Sequence, residues 1–168
     1  MTKQRLPYLP GLFCLLMVLT SSVSVAQSKK EVKQYHIQEA IEMVSDYTEE
    51  GIQTRQEAYQ KFDKDGHVVE EINYDKDGKV KEKVVRKYDR FGDKAAETSF
   101  DDQGKQVKRE EYKYNSQGEK SEEWHYDAHD QLISKSFYTL DSRGLKTEKK
   151  TYDPQGNLIQ TKTYEYND

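Results

Sequence analysis

Cysteine is almost missing from this chain, proline is scarce, and a long apolar run occurs only at its start. The single cysteine, Cys14, lies inside that run. Downstream of it there is no thiol for a disulfide framework, a zinc–thiolate site or a cysteine nucleophile. Two of the three prolines, Pro7 and Pro10, share the same stretch, which leaves Pro154 alone in the rest. Apolar residues make up 33% of the chain and charged residues 35%, a balance that excludes a large conventional core. Disorder is still not the expectation, because the charges of both signs are interspersed and the aromatics recur regularly. The net charge is −4 and no basic stripe interrupts it. Nucleic acid and anionic membrane surfaces are therefore poor partners, since contacts to phosphate supply most such affinity.

The N-terminus reads as an export leader. Lys3 and Arg5 precede a mostly apolar segment at residues 6–19, and small residues lead to Ser24 and Ala26. These are a basic region, an apolar region and a cleavage zone, with cleavage expected before Gln27. The apolar segment is shorter than the about 20 residues of a membrane span and is interrupted by Pro10 and Gly11. Cys14 lacks the small neighbour that a lipidated cysteine needs. Removal of residues 1–26 takes away Lys3 and Arg5 and no acid, so the net charge becomes −6. The expected product has no stable membrane span and resides in the periplasm, at the cell surface or outside the cell.

What the chain has in abundance is a repeat. An aromatic-Asp-x-x-Gly motif recurs as Asp63–Gly66, Asp75–Gly78, Asp89–Gly92 and Asp101–Gly104. It continues as Asn115–Gly118, Asp127–Asp130, Asp141–Gly144 and Asp153–Gly156. The closing residues are spaced alternately by 12 and 14, so the true period is 26 residues. Asp or Asn opens a type I turn by capping backbone N–H groups, and Gly closes it in the left-handed region. Asp130 stands in for Gly, and Asp tolerates that region better than most residues. Each motif is thus a hairpin turn, and the segments between motifs are strands.

Residues at even offsets from each closing residue include Val68, Ile72, Tyr74, Val84, Tyr88, Phe100, Tyr112, Trp124, Leu132, Tyr138 and Tyr164. Odd offsets are mostly polar, with Val69, Val85, Val107, Ile133, Phe137 and Ile159 as exceptions. That alternation predicts strands with a single aromatic face. Ahead of the repeats, Ile37, Ala40, Ile41, Val44 and Tyr47 recur at helical spacing with Gly51 as a stop, which predicts a helix over residues 32–49. Residues 54–62 then form a first strand. The expected organisation is a leader at 1–26, a helical segment at 27–54 and a repeat domain at 55–168. The fold class is mainly β: an antiparallel meander of eight or nine strands with one short N-terminal helix.

Eight strands span roughly 38 Å, whereas a helix of about 16 residues is only about 24 Å long. Such a helix cannot cover an aromatic face of that width. The sheet must curl, pair with a second copy as a homo-oligomer, or leave an aromatic strip open.

The units at residues 152–158 (Tyr-Asp-Pro-Gln-Gly-Asn-Leu) and 164–168 (Tyr-Glu-Tyr-Asn-Asp) resemble the YD repeats of the RHS family. The resemblance covers residues 59–168. It implies a β-hairpin array of the kind found on bacterial surfaces, where large members enclose toxin domains. This chain is too short for such a shell and is more similar to short, leader-bearing members from Gram-negative bacteria, especially Bacteroidetes. The resemblance carries over no catalytic residue.

The candidate binding surface is Tyr112, Tyr114, Trp124, Tyr126, Tyr138 and Tyr164, which in-order strand pairing brings near one another. Rings with a polar tip suit interfaces and sugar stacking; the plainer role for them is core packing. His125 and His129 flank a turn, and His36 and His67 stand apart, so no metal set emerges. No nucleophile motif is legible either. The expectation is a non-enzymatic exported binding or structural module without cofactor, whose partner is a protein or an envelope glycan. An immunity-like module that caps a toxin is the alternative; a glycan hydrolase would need two carboxylates across a cleft. The Asp-x-Asp-Gly turns resemble fragments of calcium loops, but later copies replace the second Asp with Phe91, Gln103, Gln117 and Gln155. The turn role predicts that a chelator leaves the melting midpoint unchanged. A drop in that midpoint on adding chelator would return these aspartates to calcium.

Overall fold

A computed structural model describes residues 28–167. The leader and Cys14 lie outside the described residues. A short helix, α1 (Lys29–Tyr35), precedes ten strands. These are β1 (Glu39–Thr48), β2 (Gly51–Phe62), β3 (Val68–Tyr74), β4 (Val80–Tyr88) and β5 (Lys94–Phe100). Next come β6 (Gln106–Tyr114), β7 (Lys120–Tyr126), β8 (Leu132–Leu140), β9 (Lys146–Tyr152) and β10 (Leu158–Thr163). They form one antiparallel meander in chain order, and β1 and β10 do not pair to close it.

The eight turns follow the motif closely. In each, the N–H of the closing residue donates to the carbonyl of the opening Asp or Asn, as from Gly104 to Asp101 at 3.1 Å. The opening side chain caps two more donors: Asp101 Oδ1 accepts from the N–H groups of Gln103 (3.0 Å) and Lys105 (2.8 Å). The closing glycines have φ between 76 and 89°, and Asp130 adopts φ 59°. Three tyrosines at the 26-residue period have their own task, while Leu140 stands at the equivalent place before the seventh turn. The hydroxyls of Tyr88, Tyr114 and Tyr166 donate to the carbonyls of Val68, Lys94 and Lys146, each twenty residues back. They thereby tie three strand ends to the preceding hairpin on the same edge of the sheet.

Two expectations are corrected. The first is the helix over residues 32–49. Ser28 and Glu31 form a reciprocal capping box that starts α1, but His36 turns left-handed (φ 52°) and ends it after seven residues. Residues 39–48 instead form β1, which pairs with β2 along its whole length across a two-residue loop at Glu49 and Glu50. Gly51 (φ 125°) belongs to that hairpin rather than to a helix end. The apolar residues that matched a helical stripe include β-branched Ile41 and Val44, and Tyr47, which favour strands once a partner is available. The sheet accordingly has ten strands rather than eight or nine.

The second correction concerns the faces. Each hairpin contains a register shift that leaves one residue unpaired. Between β5 and β6, Ser99 faces Lys108 and Phe100 faces Gln106, so Val107 has no partner. Val69, Ile133 and Ile159 occupy the same position in their hairpins. These bulges account for four of the six odd-offset exceptions. One extra residue per hairpin flips the parity, because directly opposed residues share a face. Even offsets therefore alternate between faces from strand to strand, and the aromatics are shared between both.

The sheet is one layer thick. Among the described residues the buried apolar side chains are Val32, Phe62 and Val84 only. Helix α1 covers one corner, where the N–H of Phe62 donates to Gln38 O at 2.8 Å. At the same corner Gly66 (φ 82°) lies so close that an added Cβ would sit 2.5 Å from the Lys29 carbonyl oxygen. Gly104 (φ 76°) has open space around that position. Gly104→Ala should therefore cost about 1 kcal/mol from backbone strain alone. Gly66→Ala should cost about 2–4 kcal/mol, because helix backbone must also move. Urea midpoints of the two variants check this, and equal midpoints would remove α1 from that corner.

Candidate functional site: aromatic rows on two open faces

The six candidate residues are all half-buried, and the register divides them. Glu111 opposes Trp124 and Arg109 opposes Tyr126, so Trp124 and Tyr126 share one face with Lys113 and Lys135. Tyr112 opposes Glu123, and Tyr138 opposes Lys149, on the other face. Tyr114 and Tyr164 lie on that second face as well, by strand alternation. The structure thus brings Tyr112, Tyr138 and Tyr164 into one row at the 26-residue period and sets Trp124 and Tyr126 behind them.

Four of these rings are flanked by cations from neighbouring strands, whereas Tyr164 has only Lys162, two residues back along the chain, at 5.8 Å. Lys94 and Lys120 each place Nζ 4.8 Å from the Tyr112 centroid. Lys146 lies 4.5 Å from Tyr138, and Lys120 and Lys149 lie 5.4 Å from it. On the opposite face, Lys113 and Lys135 approach Trp124 at 4.1 and 4.0 Å, and Arg109 stacks over Tyr126 at 3.8 Å. These are favourable cation–π distances. The polar tips are also engaged. Tyr112 Oη donates to Glu110 (2.7 Å), Tyr126 Oη to Glu111 (3.0 Å), Trp124 Nε1 to Glu122 (2.8 Å) and Tyr138 Oη to Glu123.

Partial burial, reinforced by the Glu110 carboxylate, raises the Tyr112 phenol far above its ordinary range. Burial and then Glu123 do the same to Tyr138. Glu123 is held well below the usual carboxylate range, first by the hydrogen bond from His125 and then, against the opposing effect of burial, by Tyr138 and the ammonium groups of Lys120 and Lys149. For Glu110, burial works the other way, but the Tyr112 hydroxyl and nearby cations outweigh it and lower the value.

A group that sequence reading missed lies beside Tyr138. His125 Nδ1 is 3.3 Å from Glu110 Oε1, and its Nε2 is 3.3 Å from Glu123 Oε1. These three could supply one cation-ligating atom each, all within 4.8 Å of one another. Three ammonium groups, of Lys108, Lys120 and Lys149, compete for the same carboxylates. His129, paired with His125 in the sequence reading, stands apart in the turn, where its N–H donates to Asp127. The signal for the real trio was cross-strand register, which spacing along one strand does not contain. No helix among the described residues is long and apolar enough to cross a membrane.

No protein-family model and no curated protein matches the chain. Several solved structures share part of its backbone course. Staphylococcus aureus TarM, in complex with fondaparinux, α-GlcNAc-glycerol and UDP, is 17% identical with a TM-score of 0.34, over 70% of this chain and 21% of that one. The GtfA/B complex bound to UDP and GlcNAc is 15% identical with a TM-score of 0.30, over 73% of this chain and 24% of that one. The Photorhabdus luminescens Tc holotoxin pore is 13% identical with a TM-score of 0.25, over 72% of this chain and 9% of that one. This chain spans about a fifth of the length of TarM. The likeness is too slight to transfer an activity. The expectation of a non-enzymatic module is withdrawn and is not carried into the functional reading.

The carboxylates of the rows make stability acid-sensitive. Glu110, Glu122 and Glu123 titrate lower folded than unfolded. Their contribution is complete above the unfolded value of about 4.3 and is lost as pH falls through the folded values. Urea midpoints should be flat from pH 7 to about 5 and fall steeply below about 4. Glu123→Gln should lose about 1–3 kcal/mol at pH 7 and show a shallower acid limb. A midpoint independent of pH down to 3 would contradict the carboxylate ladder.

Proposed function

We propose that the chain is an exported binding module of the YD-repeat type, whose open sheet presents its tyrosine–lysine row to an anionic envelope glycan. The observation that carries this reading is the row itself. Tyr112, Tyr138 and Tyr164 recur every second strand, about 9.6 Å apart by strand spacing, on a face that no second layer among the described residues covers. A linear glycan that repeats every two sugars has a matching unit length. Its ring faces suit tyrosine, and its acidic groups suit the flanking Lys94, Lys120, Lys146 and Lys149. Those ammonium groups now rest on the rings, so a neutral glycan would have to displace them, whereas an anionic one draws them to itself. The leader-like N-terminus and the hairpin array support an envelope location.

Self-association is a second reading, favoured by the free edges of β1 and β10. On the first hairpin Tyr47 is 81% exposed, with Ile41, Met43 and Ile52 also open. Unpaired strand edges with apolar side chains favour pairing with another copy.

Binding of purified, processed protein to arrays of neutral and acidic glycans tests the main reading. Acidic polymers should bind, and Tyr112→Ala and Tyr138→Ala should each weaken them about 3- to 10-fold. Retained affinity in both variants would sink the row as a binding surface. Sedimentation of the same samples reports on association through the edges.

A further inference from the structure

We propose that the cleft between α1 and the third turn, at Asp89–Gly92, binds a small sugar phosphate. This goes beyond the glycan reading, because the cleft lies at a different corner and shares no residue with the tyrosine row. Its volume is about 970 Å³, which is ample for a small organic ligand.

Charge is the first argument. Six cationic side chains line the cleft against three acidic ones, in a chain whose overall charge is negative. The acids are already engaged. Asp65 holds Lys33 at 3.0 Å, Asp63 holds His67 at 2.9 Å, and Asp89 accepts the N–H groups of Phe91 and Asp93. Among the described residues, Lys29, Lys30, Lys87 and Arg90 make no ion pair with a carboxylate. Asp63 and Asp89 keep their charge while hydrogen-bonded, so these four cations against two carboxylates leave the cleft an excess of two positive charges, which favours a dianion over a singly charged group.

Positioning is the second. Lys29 Nζ lies 2.5 Å from His67 Nε2, while His67 Nδ1 lies against both oxygens of Asp63. The ring thus lies between the Lys29 ammonium at Nε2 and the Asp63 carboxylate at Nδ1. The imidazole is further fixed by stacking on Tyr88 at 4.3 Å. Lys29 is therefore a held cation, unlike the mobile lysines of an ordinary surface. Gly92 forms the close wall: an added Cβ there would lie 3.0 Å from His67 Nε2 and 3.5 Å from Lys29 Nζ.

Departure from the repeat is the third. Seven of the eight turns carry Asp, Gln, His or Arg at the third position. The third turn carries Phe91, which is 75% exposed, with the Arg90 guanidinium 4.6 Å from its centroid. An open aromatic ring beside uncompensated cations suits a ligand with an apolar ring face next to its charge, as in a phosphorylated sugar.

Titration of the full chain at low salt tests the assignment. Glucose 6-phosphate should bind with one site, inorganic phosphate about 3- to 10-fold more weakly, and glucose not at all. Phe91→Ala should abolish the advantage of the sugar phosphate while leaving inorganic phosphate binding intact. Lys87→Ala with Arg90→Ala should weaken both ligands about tenfold or more, whereas Lys105→Ala, on a distant turn, should change nothing. No saturable binding of glucose 6-phosphate overturns the proposal. So does equal affinity for glucuronate, or equal loss in the Lys105→Ala control, which would mean charge attraction without a site. Because the tyrosine row plays no part, loss of glycan binding in Tyr138→Ala and loss of sugar phosphate binding in Lys87→Ala with Arg90→Ala fail independently.

Discussion

A sheet one layer thick must hide its rings with its own neighbours, and the rest of this structure depends on that constraint. With three buried apolar side chains among the described residues, there is no second layer to take over the task. Lysine stems and ammonium groups from adjacent strands lie across the rings instead, and carboxylates bind the ring hydroxyls and the ammonium groups together. Each exposed pair is worth little alone. Glu123 shows how the terms combine: it receives His125, Tyr138, Lys120 and Lys149 at once, from three strands. Stability of this kind is local and additive along the meander, as in other repeat architectures.

The same constraint accounts for a composition that looks unsuited to folding. High charge and low apolar content are what a two-faced, water-exposed sheet needs, because both surfaces must be soluble and still cover aromatic rings. The aspartates gather in turns, where they cap backbone donors, whereas glutamates and lysines share the strand faces.

Much of the fold was legible because it is written in short-range chemistry. Asp-x-x-Gly fixes each turn through hydrogen bonds within five residues, and it placed every hairpin from β2 to β10. Two features escaped because they are not local. The segment at residues 39–48 carries a helical spacing, yet its fate is decided by pairing with β2. The single aromatic face failed because one bulge residue per hairpin, such as Val107, changes the parity between strands. The candidate site was readable to the same degree: the six aromatics are the right residue types, but their division between faces depends on that hidden residue. The trio of Glu110, Glu123 and His125 and the corner that gathers Lys29, His67 and Phe91 needed three dimensions.

The bulge also limits how such a chain can change its length. One strand with its turn reverses the parity, and the next strand restores it. Loss or gain of a single strand would thus act like a frameshift in space. Every side chain downstream would move to the opposite surface relative to those upstream, separating tyrosines from lysines and carboxylates from their partners across the junction. Insertion or deletion of 26 residues leaves all faces in place. The steady alternation of 12- and 14-residue spacings keeps that two-strand unit whole along the chain.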